Sequence, residues 1–324
     1  MTSTSRIIRR LGRNRIGVAI SLLILVIAAF TLYHVLRHIE FGKVVAALQA
    51  QSSQSILTAG VFVVAGYVTL IFYDVFALRT IGRHKVPFQI AAFASFTSYT
   101  IGHTLGAATL TGGVVRLRIY SAWGLDFVDI AKIAFVTGMT FWLGNAILLG
   151  GAMAYAPQAA SIVDRLPFWM NRSIGLSALF GIGCYLIWLI PRPRIVGYRN
   201  WRIVLPNVRF TVVQIAIGAA DLGLVTLAMY SLLPASPTIG FPTVLVIFLT
   251  ATLLGTVSHA PGSLGVMEAA ILVGLPQFQK EELLATLLMF RVLYFVIPLL
   301  FAALVLGLRE LHLVARPHTS SPRS

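Results

Sequence analysis

Three ionisable residues stand where ionisation is costly. Glu268 is flanked by Val266, Met267, Ala269 and Ala270, Arg291 lies inside the apolar run 287–300, and Asp221 lies inside the apolar run 208–233. A charge at the centre of a bilayer costs at least about 2.5–3.5 kcal/mol on insertion scales, so each needs a partner or water. Arg116, three residues after the pair Gly112-Gly113, supplies a further cation. The pattern predicts a central cluster of Arg116, Glu268 and Arg291. Two guanidiniums against one carboxylate leave a net positive site, which suits a phosphate gripped in a bidentate fork. Gly112, Gly113, Gly262 and Gly265 would turn backbone N–H groups and helix N-termini toward the same anion. The competing arrangement places Arg116 at the cytoplasmic water boundary and leaves Glu268 to neutralise Arg291 alone, a packing role that buried ion pairs also serve.

The remaining polar residues admit two readings each. Asp221 lines a cavity or relays protons, or it hydrogen-bonds a neighbouring helix. Asp74, near the end of its run and beside Arg79, reads as an interfacial residue. His103 and His259 fall in two interrupted segments, but no close spacing of ligands supports a metal pair, so an interior hydrogen-bonded role is expected. Ser95, Thr97, Ser98, Tyr99, Thr100 and Thr104 make the first of those segments polar, either to line a headgroup path or to pack helices together. Walker, HExxH, GxSxG and CxxC patterns are missing, so no cofactor, resident metal or catalytic residue is expected. The single Cys184 excludes an internal disulfide and a thiolate cluster.

The elements that position these residues follow from hydropathy. With 58% hydrophobic and 11% charged residues, the chain is too apolar for a soluble domain, where about a quarter of residues are charged. Runs long enough to span are 16–36, 56–78, 130–155, 174–190, 208–233 and 283–308; the first is about 31 Å as a helix, matching the hydrocarbon thickness. It lacks a small-residue cleavage site, so it reads as a retained span and not a signal peptide. Segment 88–120 is rich in Ser, Thr, Gly and Ala and is broken at Thr111-Gly112-Gly113. Segment 241–275 is broken at Ala260-Pro261-Gly262-Ser263.

Charge sets the orientation. With a cytoplasmic N-terminus and both broken segments returning to their side of origin, 19 of the 25 Lys and Arg face the cytoplasm and 5 face out. If each broken segment crosses once, that positive-inside bias collapses. The expected architecture is therefore an all-α integral membrane protein of about six full spans plus two re-entrant helical hairpins, with both termini cytoplasmic. The alternative is eight simple spans with glycine kinks. Residues 1–15 form a basic cytoplasmic N-terminus, 16–308 the polytopic transmembrane domain, and 309–324 a polar, disordered tail. The alignment of Gly113-x-x-Arg116 with Gly265-x-x-Glu268 suggests a pseudo-inverted repeat, in which interrupted helices mark the binding site. The net charge of +15 is explained by anionic lipid headgroups and topology, not nucleic acid.

At these residues the chain looks like a known family. Tyr99-Thr-Ile-Gly-His, followed by Thr111-Gly-Gly-Val-Val-Arg-Leu-Arg-Ile-Tyr and then Gly124, resembles the first motif of the lysylphosphatidylglycerol synthase transmembrane-region family. Ala260-Pro-Gly-Ser-Leu-Gly-Val-Met-Glu-Ala resembles its second motif, and Arg291-Val-Leu-Tyr-Phe-Val-Ile-Pro its last-span motif. The likeness runs roughly from residue 15 to 308. In the bifunctional multiple peptide resistance factors this region is the flippase for aminoacylated phosphatidylglycerol, and a separate soluble transferase domain makes that lipid. The resemblance implies a bacterial inner-membrane lipid translocase without the transferase activity, hence not an enzyme. Its partner would be a phospholipid: aminoacylated phosphatidylglycerol or another anionic one. The phosphate would fit Arg116 and Arg291, and an ammonium would turn to Asp221 and Tyr99. Two alternatives stand beside it: a non-transporting partner that presents lipid to a separately encoded transferase or glycosyltransferase, and a small-solute carrier.

Overall fold

The computed structural model describes residues 51–105, 108–190, 194–198, 201–258 and 261–315. The expected span 16–36, the basic segment 1–15 and His259 lie outside the described residues. In chain order the elements are α1 (Ser53–Thr80), α2 (Phe88–Leu105), α3 (Ala108–Tyr120), α4 (Phe127–Tyr155), α5 (Pro157–Asp164), α6 (Phe168–Leu189), β1 (Ile195–Tyr198), β2 (Trp201–Val204), α7 (Val208–Leu232), α8 (Phe241–Ser258), α9 (Val266–Gly274), α10 (Lys280–Arg291) and α11 (Ile297–Ala315). A π-helical turn, Val292–Val296, joins the last two into one rod. Among the described residues six helices are long and apolar enough to cross a membrane: α1, α4, α6, α7, α8 and the α10–α11 rod. The protein is an all-α membrane protein.

Local chemistry sets the helix starts. Ser52 accepts the Ser55 N–H at 3.1 Å to cap α1, and Asn207 accepts the Phe210 N–H at 3.1 Å to cap α7. Asp126 and Asp129 form a capping box at α4, and Asp129 also receives Arg83 at 2.6 Å, tying the loop after α1 to this helix start. Each cap satisfies amide donors that the first helical turn leaves without a partner. The short antiparallel ribbon β1–β2, with Ile195 opposite Val204, links α6 to α7. It is the one strand pair among the described residues, and it seats Ile203 in the same apolar cluster as Phe76 and Ile130.

Pairwise contacts give the direction of each rod. Tyr73 meets Asp221 and Gly66 meets Val225, so α1 and α7 run antiparallel. Gln214 bonds Thr140 and Gly218 touches Gly144, so α4 and α7 run parallel. Hence α1 and α4 are antiparallel, and the segment between them returns to the face it left. It does so as a hairpin: α2 and α3 pack together, with Gly112 against the Ser98 carbonyl. The second broken segment repeats this, with Gly255 against Ser263 and Gly274 against Ile247 across α8 and α9. The alternative of single kinked crossings is thereby excluded. At 13 and 9 residues, α3 and α9 are about 20 and 14 Å long, short of a hydrocarbon core of about 30 Å.

The order span, hairpin, span thus occurs twice, and α2 and α8 are both 18 residues long. The antiparallel course of α1 against α7 inverts the second copy relative to the first. The repeat lies in the order of elements and not in the glycine motif. Gly265 is the N-cap of α9, with φ +80°, whereas Gly112 and Gly113 sit inside α3. The expected break at Thr111-Gly112-Gly113 is instead helical, since α3 already starts at Ala108. A glycine pair reads as a helix breaker in water, but within a membrane bundle it permits close helix packing. A Cβ on Gly112 would lie 2.9 Å from the Ser98 carbonyl oxygen. At the other end of the chain, α11 continues to Ala315, so the first residues of the expected tail are helical.

Backbone-to-backbone packing holds α4 against α7. A Cβ on Gly218 would stand 2.2 Å from the Thr140 carbonyl oxygen, and one on Gly144 would stand 2.4 Å from the Gly218 carbonyl carbon. No rotamer relieves a clash with backbone. Gly218→Ala is expected to destabilise the protein by about 3 kcal/mol, the upper end for overpacking, while Gly151→Ala, with open space around it, changes stability little. Thermal unfolding in detergent followed by intrinsic fluorescence checks this; equal melting temperatures for the two variants would contradict the packing.

Candidate functional site

The two hairpin tips meet. Gly262 lies where an added Cβ would be 3.8 Å from the Thr104 carbonyl of α2 and 3.7 Å from Nη1 of Arg291. The meeting point is near the middle of the helices. Tyr67 lies halfway along α1 and Tyr294 halfway along the α10–α11 rod, and the Tyr67 hydroxyl donates to the Tyr294 carbonyl at 2.9 Å. That bond has a local cause. Pro298 has no N–H to give to the carbonyl four residues back, so the Tyr294 oxygen is left without its helical donor. The helix widens into the π turn, and Tyr67 satisfies the freed acceptor.

Two ion pairs flank the junction, and they are not the single cluster expected. Arg116 does not reach Glu268. Its Nε and Nη2 both engage Asp74 (2.7 Å from Nη2 to Oδ1), the Tyr120 hydroxyl donates to Asp74 Oδ2 at 2.8 Å, and the Tyr99 ring lies 4.6 Å from the guanidinium carbon. Asp74, read from the sequence as interfacial, is fully buried, and Arg116 is 3% exposed. Glu268 pairs with Arg291, whose Nε donates at 2.5 Å, as the competing reading of Glu268 had it. Its second oxygen accepts the Gly265 N–H at 2.8 Å, capping α9 with a protein carboxylate.

These bonds overturn the expected anion cradle. The Gly265 N–H is already occupied, Gly112 serves packing, and a Cβ on Gly113 would meet nothing within 4 Å. The charges also balance differently. With Asp74 inside, two carboxylates answer two guanidiniums, and the net positive site becomes a neutral pair of pairs. Asp74 was missed because Arg79 stands near it in sequence. The usable signal was a carboxylate within the apolar run 56–78, which should have been matched to an intramembrane cation from another element.

Between the pairs lies a cavity of about 350 Å³. Four of the expected site residues line it together: Tyr99, His103, Arg116 and Asp221. Gly262 and the Glu268–Arg291 pair stand beside it, next to the lining residues Ser263 and Met267. Sequence reasoning did not anticipate the ring of aromatic side chains. Phe290 stacks on Tyr294 with centroids 5.3 Å apart, His103 stacks on the same tyrosine at 6.2 Å, and Tyr73 meets Tyr99 edge-on at 5.7 Å. His103 Nδ1 is buried with no hydrogen-bond partner among the described residues. Three of its lining residues, Leu110, Trp142 and Thr256, are exposed, and Trp142 lies at the middle of α4.

With this geometry in view, the relatives can be placed. Slr0712 of Synechocystis, an uncharacterised protein, is 32% identical over 85% of this chain and 86% of its own length. The inner membrane protein YbhN of Escherichia coli is 29% identical with the same coverage. A phosphatidylglycerol lysyltransferase of Staphylococcus haemolyticus is 24% identical over 85% of this chain but only 32% of its own length. The chain belongs to the family of stand-alone membrane proteins related to the N-terminal membrane region of the phosphatidylglycerol lysyltransferases. No family profile matches it. It is a multi-pass inner-membrane protein of this family, and it matches only about a third of the length of the lysyltransferases.

Proposed function

We propose that this protein carries a phospholipid headgroup across the inner membrane, through the cavity between its inverted hairpins, while the acyl chains stay in lipid. The observation that supports this reading is the exposure of three cavity-lining residues near mid-height of the helices, Leu110, Trp142 and Thr256. We read that exposure as a lateral gap: a cavity of about 350 Å³, walled mainly by apolar and aromatic groups around His103, Arg116 and Asp221, takes a headgroup but not two acyl chains, which remain outside past Leu110, Trp142 and Thr256. A cavity for a free small solute needs no such lateral gap. The basic residues Arg79, Arg83, Arg118, Arg194, Arg202 and Arg209 gather on the face where α1 ends and α7 begins. The positive-inside rule makes that face cytoplasmic. The first hairpin is then open toward the cytoplasm and the second toward the outside, as alternating access between inverted repeats requires.

The lining favours a headgroup that carries an ammonium. The Arg116 and Arg291 forks already hold carboxylates, while Asp221 and several aromatic faces surround the free space. Aromatic faces attract organic cations. The names of the lysyltransferase relatives suit a lysyl ester of phosphatidylglycerol.

Reconstitution tests the proposal. Fluorescent lysylphosphatidylglycerol placed in liposomes is bleached from outside with dithionite, and protein-containing vesicles are expected to lose the inner-leaflet signal as well. Gly138 lines the cavity, and a Cβ there meets nothing within 4 Å. Gly138→Leu should therefore plug the site and slow flipping about tenfold, a barrier of about 1.4 kcal/mol, with unchanged thermal stability. Flipping by the wild type no faster than in protein-free vesicles would sink the transport reading. The second reading, a partner that presents lipid to a separately encoded enzyme, draws on the fusion of this region to a longer chain in the lysyltransferases. Co-purification of a lipid-modifying enzyme in the absence of flipping supports that reading instead.

A further inference from the structure

Asp221 is the one charged cavity-lining side chain without an ionic partner among the described residues. It is 6% exposed. Oδ2 accepts the Tyr73 hydroxyl at 3.0 Å, and Oδ1 is buried with no hydrogen-bond partner. The neighbouring Thr69 hydroxyl directs its single proton to the Gly66 carbonyl at 2.6 Å. The surroundings offer no cation. From α1 come Tyr67, Tyr73 and Asp74; from α2 come Tyr99 and His103; from the π turn comes Tyr294. The two nearby guanidiniums belong to other carboxylates, Arg116 to Asp74 and Arg291 to Glu268. The cavity-facing residues of α4 (Ala134, Thr137, Gly138, Phe141, Trp142) include no titratable group, and α8 has none along its length.

A carboxylate in this position cannot stay charged and alone. An isolated ion in a low-dielectric interior carries a desolvation penalty of several kcal/mol, which only a proton or a cation can offset. Asp221 lines the cavity, so both candidates approach the carboxylate from the same space. We infer that Asp221 is a shared site for a proton and for the ammonium of the headgroup, each displacing the other, so that lipid movement is coupled to a proton moving the opposite way. The exchange balances. The carboxylic O–H bond breaks, the proton passes to water in the cavity, and the lipid ammonium takes its place beside the carboxylate, one positive charge for one. The inference rests on the transport reading for its second half, and on the cavity alone for its first.

Two measurements separate the halves. The full chain in weakly buffered detergent at mildly acidic pH is titrated with the lysyl ester of dihexanoylphosphatidylglycerol while a pH indicator is followed. About one proton should leave per lipid bound. Dihexanoylphosphatidylglycerol, which has no ammonium, should release none. Asp221→Asn, which keeps the shape, should abolish the release, and Asp221→Glu should retain it. Lipid binding without proton release, or equal release from Asp221→Asn, overturns the exchange site. In proteoliposomes, acidifying the receiving side by one pH unit should shift the steady-state leaflet distribution of lysylphosphatidylglycerol about tenfold for one-for-one exchange. The shift should vanish in Asp221→Asn. Flipping that ignores the gradient in the wild type overturns the coupling and leaves translocation standing. A wild type that does not flip at all removes translocation itself, and the detergent titration then decides the exchange site on its own.

Discussion

Asp74→Ala is expected to cost about 3–5 kcal/mol of stability, the range for removing one partner of a buried ion pair. Asp74 is fully buried, and its two oxygens receive Arg116 Nε, Arg116 Nη2 and the Tyr120 hydroxyl. Taking it away leaves the Arg116 guanidinium at 3% exposure with only the Tyr99 face for compensation. A cation–π contact is worth about 2 kcal/mol at best when desolvated, too little to replace a doubly bonded carboxylate. Arg116→Ala should cost a similar amount for the mirror-image reason. The double variant should cost clearly less than the sum of the two, because neither charge is then stranded. By contrast, Arg116→Ala combined with Glu268→Ala should be additive within about 0.5 kcal/mol, since the two residues share no partner. Equilibrium unfolding in mixed detergent micelles measures all of these. Additivity for the Asp74–Arg116 double, or strong coupling between Arg116 and Glu268, would contradict the pairing described here.

The sequence exposes the hull of this protein more clearly than its interior, and the reason is physical. Spanning helices must be apolar over about 20 residues whatever they pack against, so α1, α4, α6, α7 and the α10–α11 rod are visible as hydropathy. The charge asymmetry also favoured two returning segments over two single crossings, and the antiparallel course of α1 and α4 agrees. Partner choice is different. Arg116 could be matched by any intramembrane carboxylate, and the pair is decided by how the first hairpin packs on α1, which no local pattern encodes. Glu268 and Arg291 were assignable because their neighbours are uniformly apolar. Gly112 misled because glycine allows both a turn and a close helix contact. Gly262 and Gly265, with φ of +56° and +80°, do form the second turn.

The inverted arrangement also explains why the site is so economical in polar groups. The irregular backbone at Gly262 is sheltered by the other half of the protein, beside the Thr104 carbonyl, and not by lipid. The Tyr67 hydroxyl repairs the one carbonyl that Pro298 orphans, and the Glu268 carboxylate fills the amide at the start of α9. What is left unsatisfied on the cavity wall among the described residues is small and specific: Asp221 Oδ1, His103 Nδ1 and the Tyr99 hydroxyl. A binding site made of a few convergent polar atoms in an aromatic wall is the usual form of a ligand pocket.

The second hairpin should depend on Glu268 more than on any other side chain, because this carboxylate does two jobs. One oxygen pairs with Arg291 on α10 and the other accepts the Gly265 N–H, so a single group ties α9 to α10 and starts the α9 helix. Glu268→Ala removes both, and Glu268→Gln keeps an acceptor for the cap while losing the charge. At 19% side-chain exposure the ion pair falls between the surface and buried limits, so its loss is worth about 2 kcal/mol, and the lost cap adds about 1 kcal/mol. The freed Arg291 guanidinium then stands beside the cavity as an uncompensated cation and repels an ammonium headgroup. Flipping of lysylphosphatidylglycerol is therefore expected to fall at least about tenfold in both variants, with Glu268→Gln retaining more thermal stability than Glu268→Ala. The fluorescent-lipid assay in liposomes, run beside thermal unfolding, distinguishes the two effects. Wild-type flipping by Glu268→Gln would show that the pair only holds the hairpin in place and takes no part in passage. Equal stability of the two variants would show that the capping bond contributes nothing.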